Sequence, residues 1–381
     1  MKIALVSPYD FTWPGGVTAH ISQLGHQFSH MGHEVEILAP HSPARDSEPS
    51  LNFVPLGRSV PIPTGGSIAR LSLSLWLHRK TKRILEEKEF DLVHLHEPLM
   101  PVLPLTVLQC SNTVNVGTFH AFYGRFRNYG WSHRLLKRWF NKLDGLIAVS
   151  PAAHQYVSRF FPGNYRIIPN GIDVDHFATA GKPIPELQDG KTNILFVGRL
   201  EKRKGLRYLL EAFGMLKWEH PNVRLLVVGP GSLDKDCHRV LGERNLQDVV
   251  FLGGVPYQDL PSYYASAHIF CSPATGRESF GIVLLEAMAA GRPIVATSIE
   301  GYSCVVTHGE QGLLVPPKDS ASLAVALGRL VADGDLRSQM GLMGRQSVEQ
   351  YRWEKIARMV MDHYENLMGA PNASVAGQRP L

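Results

Sequence analysis

KIALVSPYDFTWPGGVTAHISQLGHQFSHMGHEVEILA, from Lys2 to Ala39, decides the fold class of this chain. Ile3–Ser7 reads as a short apolar strand. Pro14-Gly15-Gly16 makes a tight turn, and Val17, Ile21, Leu24, Phe28 and Met31 then keep the 3,4 rhythm of a helix with one buried face. Gly32 stops that helix and Val35–Ala39 forms a second strand. Strand, glycine-rich turn, helix and strand open a doubly wound α/β domain. Further strands are expected at Asp91–Leu95, Val114–Phe119 and Leu146–Ser150.

The second half repeats the pattern. Asn193–Val197 and Val223–Val228 flank a helix near Leu206–Trp218, and strands follow at Val249–Leu252, Ile269–Ser272, Ile294–Thr297 and Gly312–Val315. Pro169-Asn-Gly-Ile-Asp-Val-Asp-His-Phe177 and a Gly/Pro-rich segment, Gly181–Gly190, separate the halves. The expected organisation is a Rossmann-like domain over 1–175, a second over 176–350, a helix over 351–368 that packs back across the junction, and a flexible tail over 369–381. Two such sheets would face a deep cleft with the carboxyl ends of their strands, where ligands of parallel sheets bind.

Composition limits the function classes. The 381 residues are 44% hydrophobic and 19% charged, values of a globular protein with room for two cores. The four cysteines form no Cys-x-x-Cys pair, which argues against a zinc site or a disulfide framework. Neither a signal peptide nor a bilayer-length apolar run is legible, so a cytoplasmic protein is expected. Between Arg70 and Lys142 lie twelve Lys/Arg against five Asp/Glu. No nucleic-acid module accompanies this excess. Arg79, Lys80, Lys82 and Arg83, on an expected helix Leu71–Glu87 that also holds Leu75 and Trp76, suit an anionic membrane surface. Arg125, Arg127, Arg134, Lys137 and Arg138 would extend that face.

Four places could carry chemistry. Glu278-Ser-Phe-Gly-Ile-Val-Leu-Leu-Glu286 sets two carboxylates eight residues apart, a spacing of about two helical turns. The surrounding apolar residues imply that Glu286 is buried and needs a partner such as ligand hydroxyls, or an internal salt bridge. Free N–H groups at Phe280, Gly281 and Ile282 would suit a phosphate. Gly15-Gly16 offers the same at the first turn, or merely a turn. Gly198-Arg199-Leu-Glu-Lys-Arg-Lys204-Gly205 stands at the equivalent turn of the second domain. Its cations could neutralise a leaving diphosphate, or form a solvated basic loop. His120 ends a strand toward the cleft. His94 and His96 alternate on another strand without an evident third ligand and read as ordinary polar positions. Asp173-Val-Asp175 reads as a turn and cap, and no metal is expected.

With these parts assembled, the chain resembles the family 4 retaining glycosyltransferases of the GT-B fold over residues 1–368. The motifs are Pro14-Gly-Gly-Val, Pro169-Asn-Gly-Ile-Asp, Gly198-Arg199 with Lys204-Gly205, Glu278 through Glu286-Ala-Met-Ala-Ala-Gly, and Gly312-Leu-Leu-Val-Pro. The resemblance implies that Gly16 and the amides of Phe280, Gly281 and Ile282 hold a donor diphosphate. Arg199 and Lys204 would steady the leaving group, Glu278 the sugar hydroxyls and Glu286 the ribose. The backbone near Val255 would meet the base, and His120 would lie beside the sugar.

Tyr9, Val60-Pro-Ile-Pro63, Gly66–Leu71, His96-Glu-Pro98 and the cations Arg79–Arg83 resemble, more narrowly, bacterial phosphatidylinositol mannosyltransferases. That implies GDP-mannose as donor substrate with no further cofactor. The acceptor would be a lipid, the inositol ring of phosphatidylinositol, met by Tyr9 and Arg70 at the inner membrane face. Thr275-Gly-Arg277, His268 and Leu99 depart from the usual pattern. The rival readings are another sugar nucleotide with another lipid or soluble acceptor, a sugar-nucleotide epimerase, and a non-catalytic binding module.

Overall fold

The computed structural model describes residues 1–13, 15–42, 52–57, 59–64, 67–72, 77–121, 133–179 and 181–369. Strands β1 (Lys2–Val6), β2 (Glu34–Ala39), β3 (Asn52–Pro55), β6 (Leu92–His96), β7 (Val114–Phe119), β8 (Gly145–Ala148) and β9 (Tyr165–Ile167) form one sheet. All its pairings are parallel and its order is β3-β2-β1-β6-β7-β8-β9. The near-continuous apolar strands fit a sheet covered by helices on both faces. The helix α1 (Gly16–His30) buries Ile21, Leu24 and Phe28 against Ile3, Leu5, Val35 and Ile37.

Between β3 and β6 the antiparallel strands β4 (Ser59–Thr64) and β5 (Ser67–Ser72) pair residue by residue, from Ser59 with Ser72 to Thr64 with Ser67. Leu71 therefore lies in a strand, and the helix expected from Leu71 starts only at Leu77. This helix, α2 (Leu77–Lys88), buries Leu77, Thr81 and Ile84, spaced four and three apart. Gly65-Gly66 between two short runs is the sequence signal for such a hairpin.

The second sheet comprises β10 (Thr192–Val197), β11 (Val223–Val228), β12 (Val249–Gly253), β13 (Ile269–Ser272), β14 (Ile294–Thr297) and β15 (Gly312–Val315). It is parallel throughout, in the order β12-β11-β10-β13-β14-β15. The Gly/Pro-rich segment between the halves is fastened to the helix Leu260–Ser266 of the second domain. The Ile184 N–H donates to Ser266 Oγ at 2.8 Å, and Gly181 lies so close to the Pro261 carbonyl that a Cβ would stand 2.3 Å from it.

The chain passes between the two domains at two adjacent places. The Ile172 N–H donates to the Tyr351 carbonyl at 2.8 Å, and Gly171 packs beneath the Trp353 ring. Ile172, Val174 and Phe177 already belong to the core of the second domain. Asp173 caps the short helix Val174–Thr179 through the His176 N–H, and Asp175 pairs with Arg352 at 2.9 Å. From there the C-terminal helix, Trp353–Gly369, returns to the first domain. Its buried face, Trp353, Ile356, Ala357, Val360 and Tyr364, packs with Ile3, Leu5 and Phe28. The architecture is two Rossmann-like domains facing a cleft, with a C-terminal helix crossing their junction.

Candidate functional site

Each sheet has one point where its strand order reverses, between β1 and β6 in the first and between β10 and β13 in the second. There the connections leave in opposite directions and open a crevice beyond the strand ends. The loop after β1 carries Tyr9 and leads to Gly16 at the start of α1, and the end of β6 carries His96 and Glu97. In the second domain the loop after β10 carries Arg199 and Lys204, and the loop after β13 leads to Glu278. The two crevices meet. A Cβ on Gly16 would stand 4.0 Å from the Ile282 side chain, so the N-terminus of α1 approaches the N-terminus of the helix Ile282–Ala289. Two helix N-termini converging on one place favour an anion between them.

On the donor side, Glu278 is almost buried and receives Lys204 Nζ at 2.8 Å together with a short contact from Arg203. Arg203 also donates to Glu201 at 2.8 Å. Burial works against the charge of Arg203 and is outweighed by Glu278 and Glu201, so the guanidinium stays charged. Loop positions are fixed by backbone contacts. The Thr275 N–H donates to the Arg203 carbonyl at 2.8 Å, and Gly301 packs so tightly that a Cβ would meet the Glu278 carbonyl at 2.0 Å. Sequence reading passed over Arg203, although it stands in the same loop, one residue before Lys204.

The helix begins at Ile282, not before Phe280, which corrects the expected geometry of the two acids. Gly281 caps it at φ +88°, and the Leu284 N–H to Gly281 carbonyl bond opens it. Glu278 therefore lies in a loop and Glu286 little more than one turn into the helix, so helical register does not align them. Lys204 does: its ammonium contacts Glu278, and its charge reaches Glu286. Glu286 is buried and accepts from Tyr264 Oη at 2.7 Å. Burial raises its pKa to about 7, against the pull of Tyr264 and Lys204. The N–H groups of Phe280, Gly281 and Ile282 stand ahead of the first backbone bond of the helix. Val255 packs against the same core as Glu286's helix.

On the other side His120, at the end of β7, joins two further rings. His96 Nδ1 and His120 Nε2 are 2.9 Å apart, and His20, from the second turn of α1, meets both rings edge-on. His96 is thus part of the site, not an ordinary polar position. The third histidine missing from the strand pattern comes from α1. Together the three offer ring nitrogens within 4.8 Å of one another, the make-up of a candidate cation site. His94 is occupied elsewhere, between Thr118 Oγ1 and Tyr364 Oη, both at 2.6 Å. Burial holds His20 down at about 4 and His96 and His120 well below the usual histidine range. Glu97 Oε1 accepts the backbone N–H groups of His120 and Ala121 at 2.7 and 2.6 Å, and burial raises its pKa to about 7.

Arg199 and His268 stand apart from these groups. Arg199 faces solvent with half of its side chain exposed and reaches Glu201 at 3.3 Å rather than Glu278. Arg70 sits opposite Pro61 in β5, its side chain outside the described atoms. Pro14, Leu75, Trp76, Arg125 and Arg127 lie outside the described residues, as does most of the tail. His268 serves the sheet: its Nδ1 accepts the Asn193 N–H at 2.9 Å.

Residues 14–176 match the model of Glycosyltransferase Family 4, and residues 179–347 match Glycosyl transferases group 1. A phosphatidyl-myo-inositol mannosyltransferase of Mycobacterium tuberculosis is 39% identical, covering 97% of this chain and 98% of its own. The chain belongs to glycosyltransferase family 4. A phosphatidyl-myo-inositol mannosyltransferase of Propionibacterium freudenreichii is 33% identical over 96% of this glycosyltransferase. Among solved structures, Anabaena HepE in complex with UDP and glucose covers 96% of the chain at 19% identity and a TM-score of 0.77, a likeness of fold. The family 4 protein is a retaining hexosyltransferase of the GT-B fold. Among the described residues no helix is long and apolar enough to cross a membrane.

Proposed function

We propose that this glycosyltransferase moves mannose from GDP-mannose to the inositol ring of phosphatidylinositol, bound peripherally at the cytoplasmic face of a membrane. The observation that carries the donor half is the opposition of Gly16 and Ile282 beside Lys204 and Glu278. A diphosphate between the two helix N-termini would meet backbone N–H groups from both domains, with Lys204 and Arg199 to take up charge as the glycosidic bond breaks. Glu278 would then accept from sugar hydroxyls and Glu286 from the ribose. Among the described residues no carboxylate is set as a nucleophile, so in this reading the leaving phosphate receives the acceptor proton on the same face. The mannosyltransferase relatives, near full length, support the donor and the acceptor.

Incubation with GDP-mannose and phosphatidylinositol vesicles tests this reading by mass spectrometry of the lipid. A mannosylated lipid is expected. Bound donor without product would discard this acceptor and retain the transferase. The vesicles carry a second expectation. Arg79, Lys80, Lys82 and Arg83 are exposed, although Lys80 reaches the Pro55 carbonyl and Lys82 and Arg83 pair with Glu86 and Glu87. A basic residue contributes about 1 kcal/mol at an anionic surface. With these internal pairs discounted, changing all four to alanine is expected to weaken vesicle binding by about 10- to 100-fold and to spare donor binding. Unchanged sedimentation with anionic vesicles would remove α2 as the membrane contact.

Glu286 makes donor binding sensitive to pH. Its raised pKa means that the folded, donor-free protein keeps the proton up to about pH 7. An unfolded carboxyl loses it near its ordinary value, so this group stabilises the fold fully below that value and loses its contribution as pH rises through about 7. Ribose hydroxyls donating to the carboxylate would favour the ionised form and expel the proton. Calorimetry in buffers of different ionisation enthalpy should therefore find proton release on donor binding near pH 6.5. Affinity should tighten toward pH 8, and a Glu286→Gln protein should show neither effect.

A further inference from the structure

We propose that His96 is a positioning residue for His120, donating its Nδ1–H to His120 Nε2 so that His120 presents an Nδ1–H donor to the cleft. The inference rests on the sugar-nucleotide reading of the cleft.

The direction of the proton follows from which buried atoms lack partners. His96 Nδ1 and His120 Nε2 lie 2.9 Å apart, so one of them must donate. The other His96 nitrogen, Nε2, is buried without a hydrogen-bond partner among the described residues. If it carried the proton, a buried N–H would be orphaned. Orphaned donors are rarer and costlier than under-satisfied acceptors. The lower-energy tautomer therefore protonates His96 at Nδ1. His120 then accepts at Nε2, and neutral imidazole carries its single proton on Nδ1. Both rings are held neutral by burial, so neither supplies a second proton.

Orientation is fixed as firmly. The His96 and His120 rings lie side by side, their planes 27° apart and their centres 5.2 Å apart, as an in-plane hydrogen bond requires, and His20 wedges edge-on at 81°. The backbone at His120 is pinned by Glu97, which adopts φ +52° to deliver its carboxylate. Nδ1 is the nitrogen left for the cleft, where it would donate to an oxygen of the donor sugar.

Nitrogen-15 NMR of histidine-labelled protein reads the tautomer without substrate. Nδ1–H is expected at His120, and Nε2–H there would overturn the proposal. A second measurement uses two near-isosteric changes. His96→Asn keeps a donor where Nδ1 stands and should retain kcat within about threefold. His96→Asp offers only an acceptor, should flip His120 to Nε2–H, and should lower kcat about 100-fold, the scale of a misaligned reacting group. The donor KM should move little in either. Equal activity of the two variants would overturn the proposal. So would one equivalent of transition metal in the purified protein, because a metal would take the lone pair that this hydrogen bond uses. The expected tautomer in a protein inert toward GDP-mannose would discard the donor assignment and leave the His96–His120 pair standing.

Discussion

A Lys204→Ala protein is expected to transfer hexose with kcat lowered about 100-fold or more, the cost of losing a group that stabilises developing charge. Lys204 Nζ stands 2.8 Å from Glu278, four residues ahead of the helix Ile282–Ala289, and its charge is felt at Glu286. No other cation combines these contacts among the described residues. Arg199 extends toward Glu201, and Arg203 is held between Glu201 and Glu278. The folded protein should tolerate the change, because Arg203 still neutralises Glu278 when Lys204 is gone. Melting should shift by only a few degrees while turnover falls. Lys204→Arg should recover part of the rate, since the charge returns with a planar fork in place of a compact ammonium. Near-parental kcat in Lys204→Ala would remove this residue from the chemistry.

Gly205→Ala should cost both stability and activity. Gly205 adopts φ +74°, a region that L side chains rarely occupy, and an added Cβ would stand 1.9 Å from the Pro273 carbonyl. That carbonyl and the Ala274 nitrogen behind it are backbone and cannot swing away. The loop after β10 would have to withdraw from the loop after β13, and the Arg203–Thr275 and Lys204–Glu278 contacts would go with it. Strain of this kind costs about 2–4 kcal/mol. In domains of this size that lowers the melting temperature by roughly 5–15 °C. A calorimetric scan together with a turnover assay checks both halves. An alanine variant that melts and turns over like its parent would show that the two loops are not locked together.

Much of the fold was legible because local pattern and tertiary environment agree. The rhythm of Val17, Ile21, Leu24 and Phe28 faces the core in α1 as expected, and the apolar strands lie within parallel sheets. The hairpin β4–β5 was missed although Leu71, Leu73, Leu75 and Leu77 alternate with the period of a strand: the run was read together with the basic helix that follows it, and strand pairing depends on a partner run that local periodicity does not weigh. The motif glycines and the acid pair were legible as types. Their arrangement was not: Glu278 and Glu286 are related through Lys204 and not by helical register. His20 carried no local signal, and His96 only its alternation with His94 and its place in His96-Glu-Pro98, since the ring they meet lies on another strand and His20 on a helix.

The sequence alone determined two α/β domains, the family of the enzyme, and the residue types that a sugar nucleotide requires, because periodicity and short motifs are properties of contiguous chain. Tertiary structure decided which of those residues meet. Arg203 against Glu278, Gly16 against Ile282, and three histidines from α1, β6 and the end of β7 are contacts between segments far apart in sequence. Such contacts are set by how the strands order around each switch point and how the second crossing at Trp353 draws the domains together. Burial follows from that packing, and burial is what holds Glu286 and Glu97 near pH 7 and keeps the histidines neutral.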